Sequence, residues 1–257
     1  MPRTGAFRAF FAIPLAPSTA GALERAAAVF VAGAAGPGSP PWRLTPASRL
    51  HVTLRFLGDC GEDLRRGLRA ALDGAVAGVP PFALSFPLPG GWHLFPGPRA
   101  PRVLAAPVSE PSGSLHRLAA SLEESVRALG FAAEDRPWLA HVTVARAPRG
   151  RGGRGRNPGR DVHPPASRLL PGAASPGRVA TGGEATGRGA TGRGAPRVDA
   201  PIPGMVADRV VLYRSVLGPG GPEYEELESA ALAGTAPEPG TTPEARTTRR
   251  IGEEGRR

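Results

Sequence analysis

The chain has 257 residues, with a single cysteine, Cys60, that excludes an intrachain disulfide. It has no apolar run of the roughly 18 residues a membrane helix needs. Its formal charge of +10 comes from 32 basic residues, all arginine, against 22 acids. Ten of those arginines, against three acids, fall in 149–204, so the basicity belongs mainly to one segment and is weak evidence for a nucleic-acid partner. The first residues, Met1-Pro2-Arg3-Thr4-Gly5, lack the order of a secretory signal, and a cytoplasmic location is expected.

In chain order, Arg8 to Leu15 reads as a strand ended by Pro14 and Pro17. Residues 18–32 read as a helix, with Ser18 as the capping candidate and Leu23, Ala27 and Phe30 on one face. Residues 50–57 form a strand. Residues 62–77 form a helix with Leu64, Leu68, Leu72 and Val76 four apart. Phe82 to Phe86 and Arg102 to Ala106 read as short strands. The helix over 114–129 carries Leu115, Leu118, Leu122, Val126 and Leu129 as its stripe, with Gly130 where a terminating glycine belongs. Residues 139–146 and 209–216 are strands. Strands with helices between them, too few and too short for a doubly wound sheet, predict an α+β fold.

Residues 149–204 differ from their surroundings. Gly and Pro fill 22 of 56 positions, and Ala-Thr-Gly-Arg-Gly occurs twice, at 185–189 and 190–194. Little there could build a core, so disorder is expected, as it is for the tail 233–257. What remains, 1–148 and 205–232, is the size of one ordinary domain interrupted by a low-complexity insert. Nothing calls for an obligate partner, and a monomer is expected.

One pattern stands above this background. His51-Val52-Thr53-Leu54 and His141-Val142-Thr143-Val144 lie 90 residues apart, both in strands. On a strand, side chains at i and i+2 share a face. His51 and Thr53 therefore project together, with Val52 and Leu54 opposite. His141 and Thr143 repeat this, with Val142 and Val144 opposite. If the strands lie side by side, two imidazoles and two hydroxyls converge on one groove. Imidazoles titrate near ~6.5, so one can take a proton while the other gives one. The hydroxyls can donate to phosphate oxygens as charge develops. That scheme suits phosphodiester chemistry and needs no metal or cofactor. His116 and His93, a solvated helix position and a loop position, and His163 in the insert read as ordinary.

The chain resembles the 2H phosphoesterase superfamily, and within it the RNA 2',3'-cyclic phosphodiesterases, historically called 2'-5' RNA ligases. The resemblance rests on Arg8 to Ile13, Leu50 to Gly58, Arg136 to Arg146, Val211 to Ser215 and Gly220 to Tyr224. It implies two pseudo-symmetric lobes, each an antiparallel sheet flanked by helices, around a central active-site groove. It also implies hydrolysis of a 2',3'-cyclic phosphate at an RNA end to a 2'-phosphomonoester. His51 would be the proton donor and His141 the proton acceptor, with Thr53 and Thr143 holding phosphate oxygens. Members of the family also join RNA ends through a 2'-5' linkage. The resemblance further suggests substrate contacts from Phe11 and Arg146. Arg146, five residues after His141, faces away from the groove in a regular strand and reaches it only if the strand ends or bulges. Arg55, at i+4 from His51, has the phase to join them. Trp42 and Tyr224 read as packing residues. The family pattern departs at Ala140, where a proline is usual, and at the insert. Two other readings stand beside the enzyme: a non-catalytic RNA-binding module whose Arg/Gly arm is the 149–204 segment, with Arg-Gly sequences such as 149–156, and a phosphodiesterase acting on another small cyclic phosphate.

Overall fold

The computed structural model describes residues 6–34, 41–88, 91–98, 100–147, 201–218 and 221–234. The bulk of the low-complexity segment, with His163 and the Arg-Gly run, and the tail from 235 lie outside the described residues.

Two strand–helix–strand units carry the two motifs. The first runs β1 (Phe7–Pro14), α1 (Pro17–Gly33), a two-residue strand β2 (Arg43–Leu44) and β3 (His51–Cys60). After α2 (Arg65–Val76) and two short strands, β4 (Phe82–Leu84) and β5 (His93–Phe95), the second runs β6 (Val103–Pro107), α3 (Ser114–Ala128) and β7 (His141–Arg146). The chain closes with β8 (Met205–Ala207), β9 (Arg209–Gly218) and β10 (Gly221–Ala231). Together they make an antiparallel sheet in the order β10-β9-β1-β3-β7-β6-β5, with β2 paired to β7, and a separate β4-β8 ladder. This is the α+β fold expected. The two halves of the large sheet meet at β3 and β7, which share a single residue pair, Val52 with Val142.

The registers of the two units match. Pro14 lies opposite His51 and Pro107 opposite His141, and the next pairs are Ile13 with Val52 and Ala106 with Val142. Both motif strands then take an extra residue at the same step. Phe11 pairs Arg55 while Ala12 pairs Thr53, which leaves Leu54 unopposed. Leu104 pairs Ala145 while Ala105 pairs Thr143, which leaves Val144 unopposed. An extra residue of this kind reverses the alternation beyond it.

Helices pack behind the sheet on the stripes read from the sequence. Leu68, Leu72 and Val76 of α2 and Leu115, Leu118, Leu122 and Val126 of α3 are buried. Each crossover helix reaches the opposite half: α1 packs on β7, and α3 on β3 and α2. Gly130 ends α3 at φ 91°. The Gly130 amide donates to the Arg127 carbonyl and the Phe131 amide to the Val126 carbonyl, so the last carbonyls are satisfied and the chain turns sharply. Among the described residues no helix is long and apolar enough to cross a membrane.

Several local expectations change. Ser18 is not the cap of α1; Ala16 is, and Pro17 occupies the first turn, where its missing N–H costs nothing. The turn Glu62–Leu64 is 3₁₀ rather than α. His93 begins β5 instead of lying in a loop.

Candidate active site

A groove of about 290 Å³ opens where the two motif strands meet. His51, Thr53, His141 and Thr143 all line it. His51 is partly exposed, while His141 and Thr53 are buried to 6% and 8% exposure. Val52, Leu54, Val142 and Val144 are buried on the other side and belong to the core. The i, i+2 alternation thus brings the four polar groups together.

The two imidazoles are held by the same device. His51 Nδ1 lies 2.8 Å from the carbonyl oxygen of Arg49, and His141 Nδ1 lies 2.8 Å from that of Leu139. A carbonyl only accepts, so Nδ1 is the donor on each ring. Each neutral ring therefore leaves Nε2 as the nitrogen that gains or loses a proton. Aromatic side chains fix the planes. Phe10 stacks on His51 with centroids 4.8 Å apart, Tyr224 meets it edge-on at 5.2 Å, and Phe95 meets His141 at 5.6 Å. Burial desolvates His51 and pushes its pKa from 6.5 down to about 4; the hydrogen bond to Arg49 opposes this, and the Arg146 charge adds to it.

The matching bulges decide which flanking residues reach the groove. Beyond Val144 the alternation reverses, and Arg146 lines the groove despite its odd spacing from His141. Phe56, at the corresponding step after His51, lines it too. The same reversal carries Arg55 away. Arg55 is 6% exposed and turned behind the sheet. It donates to the carbonyl oxygen of Ala132 and to Glu134, and its Nε makes a charge contact with Glu123 that lacks the angle of a hydrogen bond. Arg55 is thus a tie between β3 and the loop after α3, and the expectation that it meets substrate is corrected. Phe11 is corrected as well: it is fully buried in the core, and its neighbour Phe10 faces the groove.

Other lining residues had little signal in the sequence. Arg8, Arg49 and Arg146 line the groove, and no carboxylate does among the described residues. Arg8 and Arg49 lie 3.9 and 3.8 Å from Asp59 and Glu223. Tyr224 lines the groove rather than merely packing, whereas Trp42 packs on the core. Arg8 and Phe10 share the face of one strand at i, i+2, but the run Phe10-Phe11-Ala12-Ile13 is apolar on both faces and hides which side is open.

An antiparallel sheet with two His-x-Thr strands around one cationic groove defines a phosphoesterase-like fold with paired histidines. Residues 20–152 match the 2'-5' RNA ligase superfamily, and the chain belongs to it. An RNA 2',3'-cyclic phosphodiesterase of Archaeoglobus fulgidus is 40% identical over 100 residues, which is 39% of this chain and 53% of that protein. The chain spans about half the length of the curated relatives it matches. Among solved structures, TT0787 of Thermus thermophilus aligns with a TM-score of 0.60 at 24% identity, over 89% of this chain and 100% of that one. E. coli LigT complexed with 3'-AMP aligns with a TM-score of 0.56 at 20% identity, over 88% and 98%. At these identities the structural likenesses establish the fold.

Proposed function

We propose that this protein hydrolyses RNA 2',3'-cyclic phosphate ends to 2'-phosphomonoesters by a two-histidine acid/base mechanism. The observation that carries the reading is the pair of Nδ1-anchored imidazoles, each beside a threonine, in one cationic groove. The names of the relatives point to the same reaction.

Water attacks phosphorus, and His141 Nε2 removes its proton. The P–O3' bond breaks as His51 Nε2 gives a proton to O3'. The 2'-ester bond stays intact, so the product is a 2'-phosphomonoester. Thr53 and Thr143 donate to the non-bridging oxygens as negative charge grows there, and Arg146 adds a fixed positive charge. Acid and base roles of this kind contribute about 10²–10⁴ each in rate. An RNA 5'-hydroxyl in place of water gives 2'-5' ligation by the same proton transfers.

With its pKa at about 4 in the free protein, His51 is neutral at pH 7 and does not act as an acid. Substrate changes that. An anion about 4 Å away contributes roughly 4 kcal/mol at an effective dielectric of ~20. Since ~1.4 kcal/mol moves a pKa by one unit, a bound phosphodiester brings the His51 pKa back up towards 7 and favours its protonated form. The acid is charged by the substrate it cleaves.

The test is hydrolysis of a short RNA ending in a 2',3'-cyclic phosphate, resolving 2'- from 3'-phosphate product. Formation of the 2'-phosphate supports the reading; exclusive 3'-phosphate, or no turnover by folded protein, refutes it.

A further inference from the structure

A second depression, about 420 Å³, adjoins the catalytic groove. The two share Arg49, His51 and Tyr224 as a common rim. Its other walls come from elements the reaction does not use. Pro14, Leu15 and Pro17, where β1 passes into α1, form an apolar side. Ser48 stands at the edge and is exposed. Tyr213 stands beside the rim, its ring 6.4 Å from that of His51 and 6.3 Å from that of Tyr224. Its ring is held in place: the hydroxyl donates to Glu226 at 3.3 Å, and Arg209 fixes that carboxylate at 3.0 Å. The volume lies within the ~300–1,000 Å³ of ligand sites, and the lining mixes apolar surface, ring faces and a few polar groups as such sites do.

We propose that this depression is a subsite for the nucleoside immediately 5' to the cyclic-phosphate terminus, and so makes the protein prefer an oligonucleotide end over a mononucleotide. The inference rests on the reaction proposed above. The terminal nucleoside carries both ester oxygens of the cyclic phosphate, so it occupies the histidine groove along with that phosphate. Its one covalent neighbour in the RNA is the nucleotide on its 5' side. That neighbour needs a second concave surface one step away, and this depression begins at the other side of His51. The linking phosphodiester then crosses the shared rim, beside the Arg49 guanidinium. The upstream base meets tyrosine rings and proline and leucine side chains; the polar side chains beside them, Ser48 and a Glu226 already engaged by Tyr213 and Arg209, are too few to read a base. Stacking of that kind tolerates any base. The subsite therefore recognises the presence of a nucleoside, not its identity.

The experiment compares binding of adenosine 2'-monophosphate with that of an ApA dinucleotide bearing a 2'-phosphate, by titration calorimetry at fixed salt. A third ligand has the same two phosphate groups but no upstream base. The dinucleotide is expected to bind about tenfold tighter than the mononucleotide, in keeping with one stacked base. The abasic ligand is expected to lose most of that gain. Ser48→Glu and Leu15→Ser are each expected to cut the dinucleotide's advantage to about threefold or less, with mononucleotide affinity held within roughly twofold. Equal affinity for mono- and dinucleotide overturns the subsite. So does an abasic ligand that keeps the full gain, which would mean charge alone, or variants that weaken both ligands alike. Turnover is measured separately. A protein that binds as expected but leaves cyclic phosphates intact would retain the subsite and refute the reaction.

Discussion

Trp138 Nε1 donates to the backbone oxygen of Thr53 at 3.1 Å, so the approach to the second motif is fastened to the first. The indole also meets His116 edge-on at 5.0 Å, which holds it against α3. One side chain therefore couples the spacing of the two motif strands. Trp138→Phe keeps most of the packing and removes the donor. It is expected to cost about 1 kcal/mol of stability, a typical net hydrogen bond, measured by urea unfolding. A kcat reduced several-fold with little change in KM would mark Trp138 as a positioning residue; unchanged kcat would restrict it to packing.

His51→Ala and His141→Ala are each expected to lower kcat by about 10²–10⁴ while far-UV circular dichroism stays native. Effects of acid and base acting together are not additive, so the double variant is expected to be little slower than the worse single one. Turnover near the parent rate in either single variant would remove that histidine from the mechanism.

The titration of His51 is a separate check. Its pKa is depressed to about 4 in the folded chain, so between 4 and 6.5 the unfolded chain binds the extra proton. Folding is then less favourable as pH falls through that window, by at most about 3 kcal/mol from this group. The imidazole resonances of His51 are expected to stay neutral to about pH 4 in the free protein and to titrate at higher pH when inorganic phosphate is bound. Phe10→Ala opens the ring to water and is expected to raise the free-protein value. A His51 that titrates near 6.5 without ligand would end the account of substrate-induced charging.

Arg55 tests the corrected assignment. Its head is buried between two carboxylates and two carbonyls. Arg55→Ala leaves those groups without their partner, and breaking a buried pair of this kind costs about 3–5 kcal/mol. The expected signature is a lower melting temperature, with KM preserved for protein held well below it. A raised KM in a variant of parental stability would return Arg55 to the substrate.

How far the sequence could be read depended on periodicity. Leu68 to Val76 and Leu115 to Val126 repeat cleanly, and their helices formed where the stripes lay. His51-x-Thr53 and His141-x-Thr143 needed only two-residue alternation over a short span, so their shared face was legible. Beyond Leu54 and Val144 the alternation fails. Neither bulge has a glycine or proline to mark it, because the extra residue is an ordinary aliphatic turned into the core. That is why Arg55 and Arg146 exchange the sides that regular strands would give them. Phe10 and Phe11 were ambiguous because β1 is central, with apolar neighbours on both faces. The segment Gly221–Ala231 lacks a hydrophobic alternation altogether; it is an edge strand whose pairing with β9 comes from backbone bonds, and only Ala230 is buried on it. The strands β2, β5 and β8 are two or three residues long, too short to leave a pattern.

The order β10-β9-β1-β3 has a consequence for biosynthesis. Phe10 pairs with Tyr213, so β1 is closed on one side by a strand that leaves the ribosome long after it. At about 5–20 residues per second, roughly 10–40 s separate the two. During that interval β1 presents an open backbone edge beside Phe10 and Phe11, a template for unwanted strand pairing. Contacts this distant along the chain also make closure slow once all the strands exist. The nascent protein is therefore most exposed to aggregation before the closing hairpin emerges, and translation speed across the region ahead of Arg209 sets how long that exposure lasts.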